Sequence, residues 1–456
     1  MCFTSPTTIL KDLHHNKKKP LRSKNLLDTT NGRFLTFGLL YISEGIPYGF
    51  TSTAMVAIMR KQGLNLEQIG VFVAALFLPW AFKWAWAPLI DLIKLPRIGG
   101  RKAWIVFCTV MMIITVAITG LIDFAENFHL VLMMVVLNNV FCATQDVAID
   151  SLAVNTLREE ERGRGNGFMF GGQYLGIALG GGVAIFVYGQ FGIETTMTYI
   201  SGMLLMTLLF VLFFVKDPEA NPNAPREPGL GSKLIQNLVA FVKTTYDSFW
   251  RSGPGPKLGT LLALLPMGTM ALAYATLGTL QVDYGLDENQ IAALTIYNTI
   301  ASGAGCLVGG WLGDRYGLKR TLFVTYILTA LPTLLLATQI QQLGLAAVPA
   351  ALLYGAIIGH GLLYGMCFGV CSAVFMGMTN PAVAATQFTA YMGMKNLAIS
   401  FANYWQGSVA ESYNYSTVLY LDSLFILVPL MIIPFLRNRE PKQLSAKDEA
   451  LIEIST

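Results

Sequence analysis

Two carboxylates stand one helical turn apart in an apolar part of the chain. Asp146 and Asp150 belong to a polar run, residues 138–150, that directly follows the apolar segment 129–137. A carboxylate inside lipid costs about 2.5 to 3.5 kcal/mol on insertion scales, so such groups normally face a protein interior or an aqueous path. Two like charges on one helix face also favour uptake of a proton by one of them. The run therefore predicts a segment that helps to move something across a membrane.

A fixed ion pair is the alternative to a proton carrier, and the residues alone leave both roles open. Lys83 lies in a second apolar segment and is the candidate cation. We predict that Asp146 carries the proton and that Asp150, which also belongs to the predicted proton-coupling set, pairs with Lys83. Glu44 is the second predicted proton site, because it lies within an apolar segment beside a glycine and a proline, which loosen a helix.

Lys395 also lies within an apolar segment, and no acid lies within one turn of it in the sequence. A buried ammonium needs either an acid from another helix, such as Glu44, or an anionic solute, and we predict contact with the solute. His360 is a lone histidine, which predicts a packing residue rather than a proton relay. The predicted solute-binding set is completed by Gln145, Gln387 and Trp405.

The composition is that of an integral membrane protein. Of the 456 residues, 54% are hydrophobic and 13% are charged, whereas soluble proteins carry about 25% charged residues. Apolar segments of about 20 residues recur, and each can cross a hydrocarbon core as a helix. They are continuous rather than alternating, which argues against a barrel. We predict an all-α membrane protein with 12 transmembrane helices: 34–58, 68–92, 103–122, 129–156, 165–190, 196–215, 258–282, 289–312, 321–342, 346–378, 383–410 and 417–436.

Positive charges predict the orientation of these spans. Arg60 and Lys61 lie in an odd-numbered loop, and Lys83 and Lys395 lie within spans, but the other Lys and Arg residues lie in the tails and even-numbered loops. Because short cytoplasmic loops retain Lys and Arg, we expect both termini in the cytoplasm of a multi-pass protein of the cell inner membrane. Residues 1–33 are basic and lack the apolar run of a cleavable signal.

A Pro-rich polar stretch divides the spans into two groups of six. We predict a cytoplasmic tail at 1–33, a first half at 34–215, a linker at 216–257, a second half at 258–436 and a tail at 437–456. Six spans plus six match the major facilitator architecture, in which two halves rock around a central site. The loop between spans 2 and 3 (loop 2–3) and the loop between spans 8 and 9 (loop 8–9) each place an acid before basic residues. This order predicts a latch that holds the cytoplasmic side shut. The alternative is that the positive charges only set the orientation of the spans. The gating residues are Asp91, Arg101, Lys102, Asp314, Arg315, Lys319 and Arg320.

Several motifs resemble the AmpG-like family of the major facilitator superfamily, which groups muropeptide permeases with acetyl-coenzyme A transporters. They are residues 45–47, 82–91, 100–104, 144–150, 160–163 and 385–388. The resemblance implies a proton-linked inner-membrane permease that imports anhydromuropeptides, with the span 4 acid at Asp146 important for transport. Glu44 and Lys395 depart from the family pattern, which favours a different ligand, more anionic or metal-chelating.

We therefore predict a proton-coupled secondary active transporter that imports a muropeptide-like or other small organic solute. The alternatives are a transporter for a siderophore or a coenzyme A thioester, a non-transporting membrane sensor, and a membrane-embedded enzyme; we expect no enzymatic activity. The expected partners are a small-molecule solute, protons and the lipid bilayer, with no nucleic acid and a monomeric state. No cofactor or metal is expected. Aromatic residues could line a cavity, although packing explains most of them equally well: Trp80, Trp84, Trp86, Tyr364, Tyr391, Tyr404 and Trp405.

Overall fold

The computed structural model describes residues 25–87, 90, 99–124, 126–158, 161–217, 239, 243, 246–251, 253–378 and 384–436. Throughout these ranges the regular secondary structure is helical, with no strand. Of their helices, eight are long and apolar enough to cross a membrane by length and composition. One of the eight, Gly167–Phe214, covers two spans, since the backbone turns at Gly192 with a φ of 78°. Spans 1, 7 and 11 are more polar or broken, and they complete the predicted twelve-span fold.

The first half contains spans 1 to 6. Span 1 is Thr30–Gly49, a π-helical turn Phe50–Ala54, and Met55–Lys61. Span 2 is Leu66–Phe82 with the 3-10 turn Lys83–Ala85. Span 3 is Arg101–Thr119 and span 4 is Phe128–Thr156. Span 5 begins with Arg162–Ala178 and the π-helical turn Leu179–Val183, and the helix Ala184–Phe214 contains its end and span 6.

The second half contains spans 7 to 12, and its first span is discontinuous. Span 7 consists of Pro254–Ala263 and Ala275–Asp283, separated by residues 264–274, where Pro266 and Gly268 (φ 65°) interrupt the helix. The remaining spans are Glu288–Tyr316, Leu318–Leu343, Ala350–Met378, Ala384–Ser412, and Tyr415–Phe425 followed by Leu427–Ile432 and Ile433–Phe435. The sequence had predicted one continuous helix for span 7. That prediction is wrong, because a proline removes a helical hydrogen bond and restricts the preceding residue.

The apolar side chains face both inward and outward. Fully buried residues such as Phe37, Phe72 and Tyr326 fill the interior, while Phe107, Leu307 and other large apolar side chains remain exposed. Contiguous exposed apolar surface is unusual in a soluble monomer. It suits a bundle surrounded by lipid.

Glycines bring the helices close enough for the halves to meet. A Cβ added at Gly70 of span 2 would lie 2.8 Å from the Cα of Gly407 in span 11. In the first half, a Cβ at Gly45 of span 1 would lie 2.3 Å from the carbonyl oxygen of Gln173 in span 5. Small residues allow such close helix contact in membranes. The contact between spans 1 and 5 places Glu44 next to Gln173.

The bundle has two ends that later distances refer to. Asn25, before span 1, donates to the carbonyl oxygen of Lys216, after span 6, at 3.1 Å, and this side is called the linker end. Spans 1 and 7 run from it to the opposite side, called the far end. The predicted tail and linker boundaries stay a prediction, because residues 1–24 and 437–456 and most of 216–257 lie outside the described residues.

Candidate functional site

Span 4 and the end of span 2 form a buried ion pair. The ammonium of Lys83 contacts the carboxylate of Asp146, and the exposed fractions of the two side chains are 14% and 5%. Lys83 begins the short 3-10 turn, Lys83–Ala85, that follows the helix Leu66–Phe82. Lys83 also lies 5.1 Å from the centre of the Trp80 ring. The pair fixes Asp146 inside the first half.

Asp150 does not pair with Lys83, so that prediction is wrong. The hydroxyl of Tyr41, on span 1, donates to Asp150 instead. Asp146 and Asp150 share a helix face, as their spacing predicts. The sequence does not give the height at which another helix approaches this face. Lys83 meets it at the level of Asp146, and Tyr41 meets it one turn closer to the linker end.

Glu44 joins the same cluster from span 1. It is 1% exposed, and Gln173 donates from its side-chain amide to one carboxylate oxygen at 2.9 Å. The side chain of Asp146 lies within hydrogen-bond reach of Glu44. Across the ranges that the structure describes, no donor reaches the second oxygen of Glu44. Three carboxyl groups and one ammonium thus share the interior of the first half. We call these four residues, Glu44, Lys83, Asp146 and Asp150, the acidic cluster.

Aromatic rings connect the acidic cluster to the second half. The rings of Tyr48 and Trp80 lie 6.4 Å apart, and those of Phe77 and Tyr274 lie 5.3 Å apart. Tyr274 lies in the break of span 7, and its hydroxyl is 3.0 Å from that of Tyr364 in span 10. Two of the predicted aromatic residues, Trp80 and Tyr364, therefore belong to a group that crosses between the halves. We call the five rings the aromatic bridge.

Lys395 is the other buried cation. It is 4% exposed, and its ammonium lies 2.9 Å from the sulfur of Met267. The rings of Phe368 and Phe375 lie 4.5 Å and 5.7 Å from it. Among the described residues, no carboxylate lies within 4.0 Å of this ammonium. A pair with Glu44, the alternative that the sequence left open, is absent there.

The other three predicted solute-binding residues do not join Lys395. Gln145 is fully buried and donates to Thr109 of span 3 at 2.6 Å, so it packs two spans of one half together. Gln387 donates to the carbonyl oxygen of Ser248 at 3.3 Å, near the start of span 7. The ring of Trp405 packs against Phe425 of span 12 at 5.0 Å. These three residues were predicted to bind solute because their side chains are polar or aromatic. The orientation of each helix about its axis instead directs these side chains toward neighbours in the same half.

The predicted latch residues of loop 2–3 bind within the first half. The backbone N–H of Arg101 donates to Asp217 at 2.6 Å, its side chain donates to Ser151 at 2.7 Å, and Lys102 donates to the carbonyl oxygen of Leu212 at 2.9 Å. Asp217 thus caps the start of span 3 from the end of span 6. This contact was not predicted, although an acid beside the first proline of the linker was a visible signal.

The remaining predicted latch residues make few described contacts. Asp91 and the side chain of Asp314 lie outside the described residues. Arg315 stacks over the rings of Trp311 and Tyr316, at 5.5 Å and 5.7 Å. Within the described ranges, no ion pair involves the cations of this loop, Arg315, Lys319 and Arg320.

Two ion pairs join the halves at the far end, where no latch was predicted. Arg60, at the end of span 1, binds both carboxylate oxygens of Asp283, at the end of span 7, at 2.7 Å. Lys61 binds Glu288, at the start of span 8, at 2.6 Å. Arg60 and Lys61 had stood out as the basic residues of an odd-numbered loop. Their acidic partners in the second half, Asp283 and Glu288, were not predicted.

The chain is similar to known membrane transporters. The family model of the Major Facilitator Superfamily matches residues 34–277 and 258–451. The anhydromuropeptide permease of Escherichia coli is 24% identical over 400 residues, which cover 87% of this chain and 77% of that protein. A putative transporter AmpG 4 of Rickettsia conorii is 20% identical over 423 residues, covering 87% and 96%. The predicted resemblance to AmpG-like proteins is confirmed.

Solved structures share the fold. A D-xylose-proton symporter superposes with a TM-score of 0.68 at 14% identity, covering 90% of this chain and 99% of that one. The inward open conformation of the xylose transporter XylE from E. coli gives a TM-score of 0.66 at 13% identity, covering 93% and 100%. At these identities the likeness concerns the fold alone. It confirms the predicted arrangement of twelve helices.

Proposed function

Because the chain belongs to the major facilitator superfamily, a family of transporters rather than enzymes, we propose that it is a proton-coupled secondary active transporter that imports a muropeptide-like solute. Its place is the inner membrane, as a monomer with both termini in the cytoplasm. In this orientation the far end faces outward. The two halves would rock around the aromatic bridge, as in other transporters built from two repeats.

The charge balance of the acidic cluster carries this proposal. Glu44, Asp146 and Asp150 share one ammonium, that of Lys83, in the interior of the first half. Uncompensated charge is costly there, so with one cation the cluster is stable only when it also holds protons. A shift of Lys83 during rocking would change how many protons the cluster holds. Proton binding and the transport cycle are coupled in this way.

Glu44 and Asp146 have unequal positions in that cycle. Asp146 is neutralised by Lys83, whereas Glu44 accepts one hydrogen bond from Gln173 and has Asp146 as its other close polar neighbour. A proton between the two carboxyl groups would relieve their repulsion. Glu44 is therefore the proposed resting proton site, and Asp146 is the group that exchanges Lys83 for a proton.

The relatives and the aromatic bridge support the solute class. An anhydromuropeptide permease is among the relatives. Sugar rings have apolar faces that pack on aromatic side chains, and the bridge presents such rings from both halves. The predicted solute-binding roles of Gln145, Gln387 and Trp405 remain proposals, and their packing within one half makes them indirect.

Uptake by purified protein in proteoliposomes tests the function. We expect an anhydromuropeptide to accumulate when the lumen is made alkaline, and accumulation to fall to equilibration after a protonophore is added. A panel with coenzyme A thioesters and siderophores identifies the solute, because a ligand that binds the folded state raises the melting temperature. Accumulation that is indifferent to the protonophore would contradict proton coupling.

A further inference from the structure

Lys395 differs from Lys83 in how its charge is compensated. Lys83 has a carboxylate against its ammonium, whereas Lys395 has the sulfur of Met267 and the faces of Phe368 and Phe375. Aromatic faces stabilise a cation by about 0.5 to 2 kcal/mol, but they carry no negative charge that would neutralise it. The Cys371 thiol, also on span 10, is a further neutral neighbour of Lys395. A soft, neutral shell therefore surrounds a full positive charge that is 4% exposed.

The position of Lys395 is that of a solute contact. Met267 lies in the break of span 7, and transporters commonly place solute sites at discontinuous helices. Lys395 also interacts electrostatically with Cys306 of span 8. The sulfur of Cys306 is 3.0 Å from the hydroxyl of Tyr174, on span 5 of the other half. The ammonium therefore lies close to the contact between the halves.

We propose that Lys395 binds a carboxylate of the transported solute. The inference rests on the proposed transport function and adds the chemical class of the group that the second half recognises. An incoming carboxylate would supply the counter-charge that the described residues do not, and a charge-assisted hydrogen bond is among the strongest polar contacts in a protein. The first half then binds the protons, and the second half binds the acid group of the solute.

A matched pair of solutes tests this directly. The probes are an anhydromuropeptide with free peptide carboxylates and the same compound with these groups converted to carboxamides. For Lys395→Met, we expect uptake of the acid form to fall about tenfold or more, while uptake of the amide form changes less than about twofold. Lys395→Arg should keep the preference for the acid. Lys257→Met, at an exposed lysine near the start of span 7, is the matched control.

Equal uptake of the acid and amide forms by the unaltered protein would overturn the proposal. So would a Lys395→Met variant that keeps its preference for the acid. If neither form is taken up under a pH gradient, the proposed function fails. The melting temperature of the ligand-free protein then decides whether Lys395 has a structural role. We expect Lys395→Met to melt at the same or a higher temperature, because it removes an uncompensated charge at similar volume. A clear drop would show that Lys395 is structural and would also overturn the proposal.

Discussion

At the scale of single residues, buried charges are compensated in different ways. Lys83 neutralises one carboxylate of the acidic cluster. In the described part of the chain, no carboxylate lies beside Lys395, whose ammonium contacts the sulfur of Met267. Residue types and one-turn spacing were enough to predict that Asp146, Asp150 and Glu44 are inside the bundle. They could not predict which acid Lys83 meets, because that depends on the height and rotation of one helix against another.

Arg33 and Glu161 form a buried pair at the linker end that the sequence analysis did not identify. Arg33 donates to both carboxylate oxygens of Glu161, at 2.5 Å and 2.8 Å, and Thr30 donates at 2.7 Å. The hydrogen bonds from Arg33, helped by Thr30, lower the pKa of Glu161 to about 2 from the usual 4.5. The contact ties the start of span 1 to the loop before span 5.

This pair predicts a pH dependence of stability. Since the folded pKa of Glu161 lies below the unfolded one, its stabilising contribution is complete above pH 4.5 and is lost as pH falls toward 2. Glu161→Gln should lower the melting temperature at pH 7, and its difference from the unaltered protein should shrink across that window. Melting curves in detergent at several pH values measure this, with Glu126→Gln in an exposed loop as control. A difference that stays constant with pH would contradict the assignment.

At the scale of elements, the break in span 7 is the feature that the sequence did not predict. Its apolar residues continue through residues 264–274, so hydropathy alone suggests one helix. Within the break, Asp422 of span 12 accepts hydrogen bonds from the buried backbone N–H groups of Met270 and Ala271, at 2.7 Å and 2.8 Å. His360 lies in the same region, fully buried and 3.0 Å from the carbonyl oxygen of Thr269. An acid in an apolar last span was the available signal for this arrangement.

Removing Asp422 should destabilise the second half. Asp422→Leu leaves two buried N–H groups without an acceptor, and each costs about 1 to 3 kcal/mol, so we expect a loss of about 2 to 6 kcal/mol. Asp422→Asn retains one acceptor oxygen and should lose less. Denaturant unfolding of both variants measures the difference. Equal stability of the leucine variant and the unaltered protein would show that the break does not depend on this carboxylate.

At the scale of the whole molecule, the two halves are held together at the far end. Arg60–Asp283 and Lys61–Glu288 cross between them, and Tyr415 also donates to Asp283 at 2.7 Å. The predicted gating residues of loop 2–3, Arg101 and Lys102, bind within the first half at the other end. Motif order predicted the two-half organisation correctly. Which end is closed depends on contacts between residues more than 200 positions apart, which no local pattern contains.

Weakening the far-end contact should favour the state that opens outward. The side chains of Arg60 and Asp283 are 23% and 22% exposed, so solvent screens their pair, and it is worth on the order of 1 kcal/mol. Thr295 of span 8 is 7% exposed, and its methyl group lies 3.4 Å from a Cβ added at Gly181, on span 5 of the other half. In a protein with Thr295→Cys, Arg60→Ala should speed labelling by an impermeant thiol reagent about two- to fivefold. Arg251→Ala is the control, since Arg251 pairs within its own segment. Unchanged labelling would show that the ion pair does not hold the far end closed.

Solute-driven proton movement tests the central claim most directly. Proteoliposomes that contain a pH-sensitive dye and the unaltered protein, with no imposed gradient, should acidify inside when an outward-facing population meets anhydromuropeptide. Asp146→Asn should remove this signal while leaving the protein folded, and Asp123→Asn, in an exposed loop, should keep it. Acidification that persists in Asp146→Asn, or solute uptake by the unaltered protein without any proton movement, would contradict the account.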